Sequence, residues 1–485
     1  MDVTDAPAFL AGEWKASGRW MERTGPYLQQ VVSRAVAAEP GHVTAAAGYA
    51  KLAAKAVART TPAGRADVLE RAAALAAQRK DQLATLLATE LGKPVKDGRG
   101  EIDRVADTLK TCADTARQLG GELLPGASYP RGATTTALTY RAPAGVALAI
   151  TPFNAPANLL AHKLGASFAA GNTTIVKGPP QAPATTAAVV ELMLDAGMPP
   201  EAVQLLHGGA DVGAMLCAAE EVAVISFTGS AAAGAAVARA SGTARPKRLV
   251  LELGGNAATI VCADADVAAA AANCARTGYT NSGQSCISVQ RVYVQQDRFA
   301  EFLESFTAEV RALRTGDPLD DSTDVGSMVD EEAAERVVRW AGEAAAEGAT
   351  IAAGGTRDGA TVAPTVVARP RQTARVVTEE VFGALVAVLP FGALGDVIET
   401  CNRSRYGLQA CLFTRDIDTI FRVWRDLETG GLVAGGSSNF RLDHLPFGGV
   451  KDSGFGRESP RWLIEDFTVV KTLLLRGVSL FGGPA

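Results

Sequence analysis

Residues 281–289, Asn-Ser-Gly-Gln-Ser-Cys-Ile-Ser-Val, hold the strongest candidate for covalent chemistry in this chain. Small, turn-prone residues surround Cys286: Asn281, Ser282 and Gly283 precede it, Ser285 stands beside it and Ser288 follows. Such a loop lets backbone approach a substrate closely and presents a thiol without bulk around it. A thiol attacks well only as a thiolate, or when a base takes its proton during the attack. A candidate base stands upstream in residues 249–256, where an apolar strand-like run ends in Glu252 and a Gly-Gly break. Burial of that carboxylate raises its pKa and suits it to general-base work. Singly, each motif is weak, because most lone cysteines are small core hydrophobes and most strand-end glutamates are solvated.

Together, Glu252-Leu-Gly-Gly and Gly283-Gln-Ser-Cys286 resemble the signature pair of the aldehyde dehydrogenase superfamily. Residues 150–154, Ile-Thr-Pro-Phe-Asn, end an apolar run and precede a helix. There Asn154 can donate an amide N–H to a developing oxyanion, with the Cys286 N–H as second donor, or can cap the helix. The stretch is similar to the family's Pro-Trp-Asn element, with Phe153 where Trp is commoner. Residues 379–383 (Glu-Glu-Val-Phe-Gly) and 445–458 match two more family elements, although Ala384 stands where Pro is usual. These elements occur in order and span nearly the whole chain.

The resemblance implies a two-step oxidation. Cys286 attacks an aldehyde, Asn154 and the Cys286 amide hold the oxyanion, and hydride passes to a nicotinamide. Water deprotonated by Glu252 then hydrolyses the thioester. It also implies NAD as cofactor, with NADP permitted. Lys177 is implied on the adenosine ribose, Gly229 and Ser230 beside the pyrophosphate, and Thr228 near the nicotinamide. Glu380 is implied on the nicotinamide ribose and Phe382 against the ring, with Ile150, Thr151, Phe153 and Leu253 also on the cofactor side. Pro180 stands where many NAD-preferring members carry Glu, so repulsion of a 2′-phosphate is absent. A CoA-acylating enzyme is a rival reading, but that type generally lacks Glu at 252. A cofactor-free cysteine hydrolase is another, and Lys177 and Glu380 argue against it.

Within the family the chain resembles lactaldehyde and phosphonoacetaldehyde dehydrogenases, which act on small polar aldehydes. The resemblance places Arg104 on the helix lining the substrate tunnel, with His162, Arg441, His444 and Phe447 around it. A guanidinium in a narrow tunnel is costly to desolvate unless it pairs, and an anionic substrate end pairs with it bidentately. A small anionic aldehyde is therefore expected, unless Arg104 and Arg441 bridge to acidic neighbours and only shape the wall.

The elements that must position these residues are legible in outline. The 485 residues suffice for two or three domains. Net charge is −5, which argues against a nucleic-acid binder or a basic membrane-surface protein. Seven scattered cysteines show no metal-ligand spacing with the four histidines, so no metal site is expected and free thiols in a reducing compartment are. The acidic start lacks a targeting pattern and no apolar run approaches the roughly 18–20 residues of a spanning helix, so a cytoplasmic protein is expected.

The first 45 residues read as an irregular arm, and helical patterning covers residues 43–91 and about 99–119. From Gly145, strands at 146–150, 173–176, 203–206, 222–227 and 248–253 alternate with helices, among them one over 159–170. The alternation restarts beyond Gly255 with strands at 257–261, 290–294, 386–390 and 432–434. That pattern predicts an α/β fold of two doubly wound parallel-sheet domains, with ligands at the strand carboxyl ends. The expected division is a Rossmann-like cofactor domain (1–125 and 145–252), a catalytic domain (253–455) and a small β element (126–144 and 466–485). The resemblance gives that β element an oligomerising role, in a homodimer or homotetramer.

Overall fold

A computed structural model describes residues 3–242, 245–478 and 480. Among them, one sheet has eight strands and another seven. At the centre of the first, Val203–Leu206, Thr173–Lys177, Val146–Ile150, Val222–Thr228 and Arg248–Glu252 run parallel as neighbours. Helices cover both faces, so these strands are buried from both sides: every residue of the apolar Val146–Ile150 and of Thr173–Lys177 is buried. In the second sheet, Thr365–Ala368, Leu385–Phe391, Arg291–Gln295, Ala258–Val261, Gln409–Phe413 and Gly431–Ala434 run parallel in that spatial order. The expected α/β architecture of two doubly wound sheets is the one found. Gly454–Phe455, from the far end of the chain, crosses back to pair antiparallel with Arg248–Glu252.

The N-terminal arm differs from expectation. It forms short strands, with Ala8–Leu10 pairing antiparallel with Val203–Leu206 at the first sheet's edge. Thr4–Ala6, Val31–Val36 and Trp20–Thr24 make a small sheet of their own. Strands this short form through their tertiary partners, so local pattern does not reveal them. The helical region that follows divides into Pro40–Val57, Pro62–Gln78 and Lys80–Leu91, and Val95–Arg117 begins one turn earlier than expected.

Thr135–Pro143 pairs along its length with Thr468–Arg476 and also with Leu123–Pro125. Of the tail expected over 466–485, positions 479 and 481–485 lie outside the described residues. No helix among the described residues is long and apolar enough to cross a membrane.

Candidate active site

Ile150, Lys177, Thr228 and Glu252 are the last residues of four adjacent parallel strands. Side chains at such a row of carboxyl ends border a crevice. A cleft of about 850 Å³ opens there, with Cys286 and Asn154 in its wall. Ile150, Thr151, Phe153, Lys177 and Pro180 also line it. So do Thr228, Gly229, Ser230, Leu253, Glu380 and Phe382, which completes the cofactor-side set read from the sequence.

The thiol loop is held in an uncommon backbone conformation. Asn281, Ser282 and Gly283 all have positive φ, at 50°, 56° and 71°. Two consecutive non-glycine residues there store strain, which the surroundings must over-determine. They do: the Asn281 N–H donates to Asp97 (2.8 Å), Ser282 Oγ to the Gly326 carbonyl (2.9 Å) and Ser285 Oγ to Asn439 (3.0 Å). Gln284 Oε1 accepts from the Val329 N–H at 2.9 Å. Cys286 is half-buried, packs with Ile287, Leu408 and Phe447, and its N–H donates to no other described residue.

Asn154 is fixed through its backbone. Its carbonyl accepts from Lys93 Nζ (2.7 Å) and Asn281 Nδ2 (3.0 Å). Lys93 also pairs with buried Glu101, whose other oxygen accepts from the Ala157 and Asn158 N–H groups at 2.9 and 3.1 Å. The following helix thus takes its cap from Glu101, and the Asn154 amide keeps no partner among the described residues. The expected helix of 159–170 is three pieces: Pro156–Leu160, a π-helical turn at Ala161–Gly165, and Ala166–Ala169. Such π turns concentrate at functional sites, and this one carries His162 and Lys163, both wholly buried.

Electrostatics separate the carboxylates. Glu252 is buried, and neither of its oxygens has a hydrogen-bond partner. Burial, helped by the charge of Glu458, raises its pKa well above the carboxylate range. Glu458 goes the other way: Lys163 and Arg441 hold it ionised against burial. Lys163 pairs with Glu458 and donates to Thr228 Oγ1 at 2.6 Å, and Thr228 donates on to Glu458 at 3.0 Å. Burial and the facing Glu380 and Glu252 push the Cys286 thiol up to about 12. At neutral pH it is a thiol that needs a base.

Residues from the substrate-side set converge beyond Cys286. Arg104 donates Nε and Nη2 to Asp443 at 2.9 and 2.8 Å, and His162 Nε2 lies 2.9 Å from the same carboxylate. Arg441 lies 3.4 Å from both Asp443 and Glu458, and its guanidinium stacks over Phe447 at 4.0 Å. The bridging of Arg104 and Arg441 to acidic neighbours is thus realised. His444 is not drawn into this cluster: it is exposed, with no hydrogen bond to another described residue.

Sequence reading missed Lys93, Glu101, Lys163 and Glu458 as site residues, whose burial is settled by tertiary packing; of the acidic partners it weighed for Arg104 and Arg441, Asp103 and Asp443, the structure uses Asp443. It also missed Arg336 and Trp340, cleft-lining residues on helix Glu331–Ala346. The one signal available was the long acidic-then-apolar periodicity of that helix.

The cleft fits a dinucleotide. Among the described residues Lys177, which is buried, has only the Gly178 carbonyl as side-chain partner (3.0 Å), and burial lowers its pKa to about 8. Thr151 Oγ1 is a buried donor without a partner. Ser230 caps helix Ala231–Ser241 at the cleft wall, where a helix N-terminus suits a phosphate. Phe153 and Phe382 meet edge to face at 5.8 Å. Among the described residues, no group of three or more His, Cys, Asp or Glu is placed to hold a metal ion.

Two doubly wound sheets with a dinucleotide-sized cleft between a thiol and a row of strand ends mark an oxidoreductase fold. The aldehyde dehydrogenase family model matches residues 14–473. The chain is 39% identical over 468 residues to a 3-sulfolactaldehyde dehydrogenase of Priestia aryabhattai, covering 96% of this chain and 97% of that protein. It is 35% identical over 418 residues to a sulfoacetaldehyde dehydrogenase of Neptuniibacter caesariensis, covering 86% and 91%. Among solved structures, aldehyde dehydrogenase 21 from Physcomitrella patens, bound to its product succinate, matches with a TM-score of 0.95 at 31% identity, over 99% and 100% of the two chains. An NAD-dependent aldehyde dehydrogenase from Sinorhizobium meliloti matches at 0.94 and 29% identity, over 100% and 96%. The NADP complex of an NADP-dependent glyceraldehyde-3-phosphate dehydrogenase from Bacillus halodurans matches at 0.94 and 32%, over 97% and 99%. The chain belongs to the aldehyde dehydrogenase family. It is an NAD(P)-dependent oxidoreductase.

Proposed function

We propose that this enzyme oxidises a small anionic aldehyde to the carboxylic acid, with Cys286 as nucleophile and water as the final acyl acceptor. Bound NAD(P)+ supplies the hydride acceptor, and Lys177, Ser230 and Glu380 are the residues proposed to hold it. Cys286 Sγ adds to the aldehyde carbon as its proton passes to Glu252 and on to solvent, and the Asn154 amide and the Cys286 N–H stabilise the alkoxide. After oxidation a thioester remains on Cys286. Glu252, whose oxygens have no protein partner, takes a proton from water as that water attacks the thioester carbon. This favours hydrolysis over transfer to CoA.

The observation that carries the substrate class is a continuous path of contacts. Cys286 packs on Phe447, Arg441 stacks on Phe447, and Arg441 joins Arg104 through Asp443. An anionic terminus in that direction meets guanidinium groups while its aldehyde lies at the thiol. Relatives named for 3-sulfolactaldehyde and sulfoacetaldehyde support the reading. A panel of sulfoacetaldehyde, succinate semialdehyde, lactaldehyde, propanal and benzaldehyde, each with NAD and NADP, tests it. The anions should give the highest kcat/KM, and a lead for benzaldehyde or propanal would overturn the reading.

On the same reading, residues 1–125 and 145–252 form the cofactor half and 253–455 the catalytic half. Exposed Leu138, Tyr140, Leu473 and Leu474 on the small antiparallel sheet support assembly of two or four copies, in the cytoplasm.

A further inference from the structure

The cluster at the far end of that path pairs each of its carboxylates with a cation. Its cations are Arg104 and Lys93 from the helical layer, Lys163 from the π turn and Arg441 from the loop before Phe447. Its carboxylates are Asp443, Glu458 and Glu101. His162 and Arg104 hold Asp443 well below the usual carboxylate range despite burial. Burial and neighbouring Arg441 push His162 towards its neutral form. Asp103, on the same helix as Arg104, is exposed and paired with Lys80, and His444 is exposed on the Asp443 loop. Asp97 also faces Lys93 and Arg457 faces Glu252, and of the cations in the cluster Arg104 keeps the most exposed side chain.

Asp443 decides how the Arg104 charge is presented. It occupies Nε and Nη2 of Arg104, the pair of donors that a carboxylate or phosphonate would otherwise grip. Nη1 of Arg104 donates to no described residue, and 40% of the side chain remains exposed. One charged edge therefore remains for a ligand. Resting on the proposal of an anionic aldehyde, we infer that Asp443 is a specificity-determining residue that restricts the site to a singly charged terminus, a sulfonate or carboxylate, and turns away a doubly charged phosphonate. A monoanion pairs with that one free edge of Arg104. A second negative charge would face the Asp443 carboxylate without a counterion, in surroundings where water screens poorly.

Sulfoacetaldehyde and phosphonoacetaldehyde share a skeleton and a tetrahedral head but differ in charge, so they form the test pair. For the wild-type enzyme at about pH 8, kcat/KM for the sulfonate should exceed that for the phosphonate at least about tenfold. Lowering the pH to about 6 protonates a phosphoryl-type group once, and the ratio should fall towards one. The sulfonate keeps its charge throughout, so titration of enzyme groups remote from the anion's end cancels in the ratio, and His162 beside Asp443 is the subsite group to follow with it. In Asp443→Asn, with folding checked by circular dichroism, the phosphonate-to-sulfonate ratio at about pH 8 should rise at least about tenfold. The wild-type pH series needs no variant and stands even if Asp443→Asn does not fold. A ratio that ignores both pH and the substitution overturns the role of Asp443. Propanal separates the two ideas. If it equals sulfoacetaldehyde, the anionic-substrate proposal fails. If sulfoacetaldehyde leads propanal but the phosphonate dianion serves equally well, only the Asp443 inference fails.

Discussion

Gly255 lies so close to Cys286 that a Cβ at 255 would sit 2.0 Å from the Cys286 carbonyl oxygen. The Glu252 motif and the thiol loop therefore meet through bare backbone. Next to it, a Cβ on Gly254 would lie 2.3 Å from Glu380 Oε2, and the Gly255 N–H donates to Glu380 at 2.8 Å. One Gly-Gly joint thus sets the proposed nucleophile, the proposed base and Glu380 relative to one another. Gly255→Ala must push the thiol loop away. A misplacement of about 1 Å costs on the order of a hundredfold in rate, so kcat/KM should fall by that order and the melting temperature should drop. Wild-type turnover and melting in this variant would show that the joint is not tight.

Cys286→Ala should abolish acid formation while leaving NAD affinity, read by fluorescence titration, nearly unchanged. Loss of a covalent nucleophile costs orders of magnitude, so residual turnover above about one hundredth of wild type contradicts the assignment. Because burial and facing carboxylates raise this thiol to about 12, its thiolate fraction should grow with pH. Alkylation of Cys286 should accelerate about tenfold per pH unit through the weakly alkaline range. A plateau near neutrality would mean a thiolate already formed.

Glu252→Gln should slow deacylation more than hydride transfer. A burst of NADH followed by a slow steady state, with acyl-enzyme visible by intact mass, is the expected signature. The sign of the pH dependence follows from the raised pKa. Glu252 must lose its proton before it can take one from water, so deacylation should rise with pH across that raised value and not across the ordinary carboxylate range. A uniform slowdown without accumulated thioester would assign Glu252 a positional role instead.

Much of this arrangement is legible in the sequence, for identifiable reasons. Strands Val146–Ile150 and Val203–Leu206 fall where apolar runs between helical periods place them, because strands buried on both faces carry little else. Cys286, Asn154 and the cofactor-side residues stand in local motifs, and all of them line one cleft. What stays hidden depends on contacts across hundreds of positions. Lys163 and Glu458 look like ordinary charged residues until packing buries them together, and Asp443 shows its importance only beside Arg104. The strands of the first 45 residues are equally hidden, since their partners lie elsewhere in the chain.

On cofactor choice, NAD should be preferred with NADP tolerated. Pro180 stands at the cleft wall without an acidic group to repel a 2′-phosphate, and Lys177, lowered to about 8, is the cation beside it. Affinities for both cofactors should differ by less than tenfold. A preference for NADP above about tenfold, roughly 1.4 kcal/mol, would contradict this and assign Lys177 to the phosphate. Titration at rising pH checks the same point: Lys177 loses its charge above its lowered pKa, and NAD and NADP should weaken alike.

Arg104 offers the sharpest test of the substrate class. Its guanidinium is oriented by the paired hydrogen bonds to Asp443, and its side chain is the most exposed in the cluster that also holds Arg441 and Lys163. Removing it takes away the free guanidinium edge while His162 and Arg441 still hold Asp443. Arg104→Ala should therefore raise KM for sulfoacetaldehyde or succinate semialdehyde at least about tenfold, since a charge-paired contact is lost. Propanal has no charge to lose and should be little affected. Arg104→Lys keeps the charge but not the fork, so it should fall between the two for the anions. Equal damage to propanal and to the anions would mean that Arg104 only shapes the wall. An unchanged KM for the anions would place their charged end elsewhere.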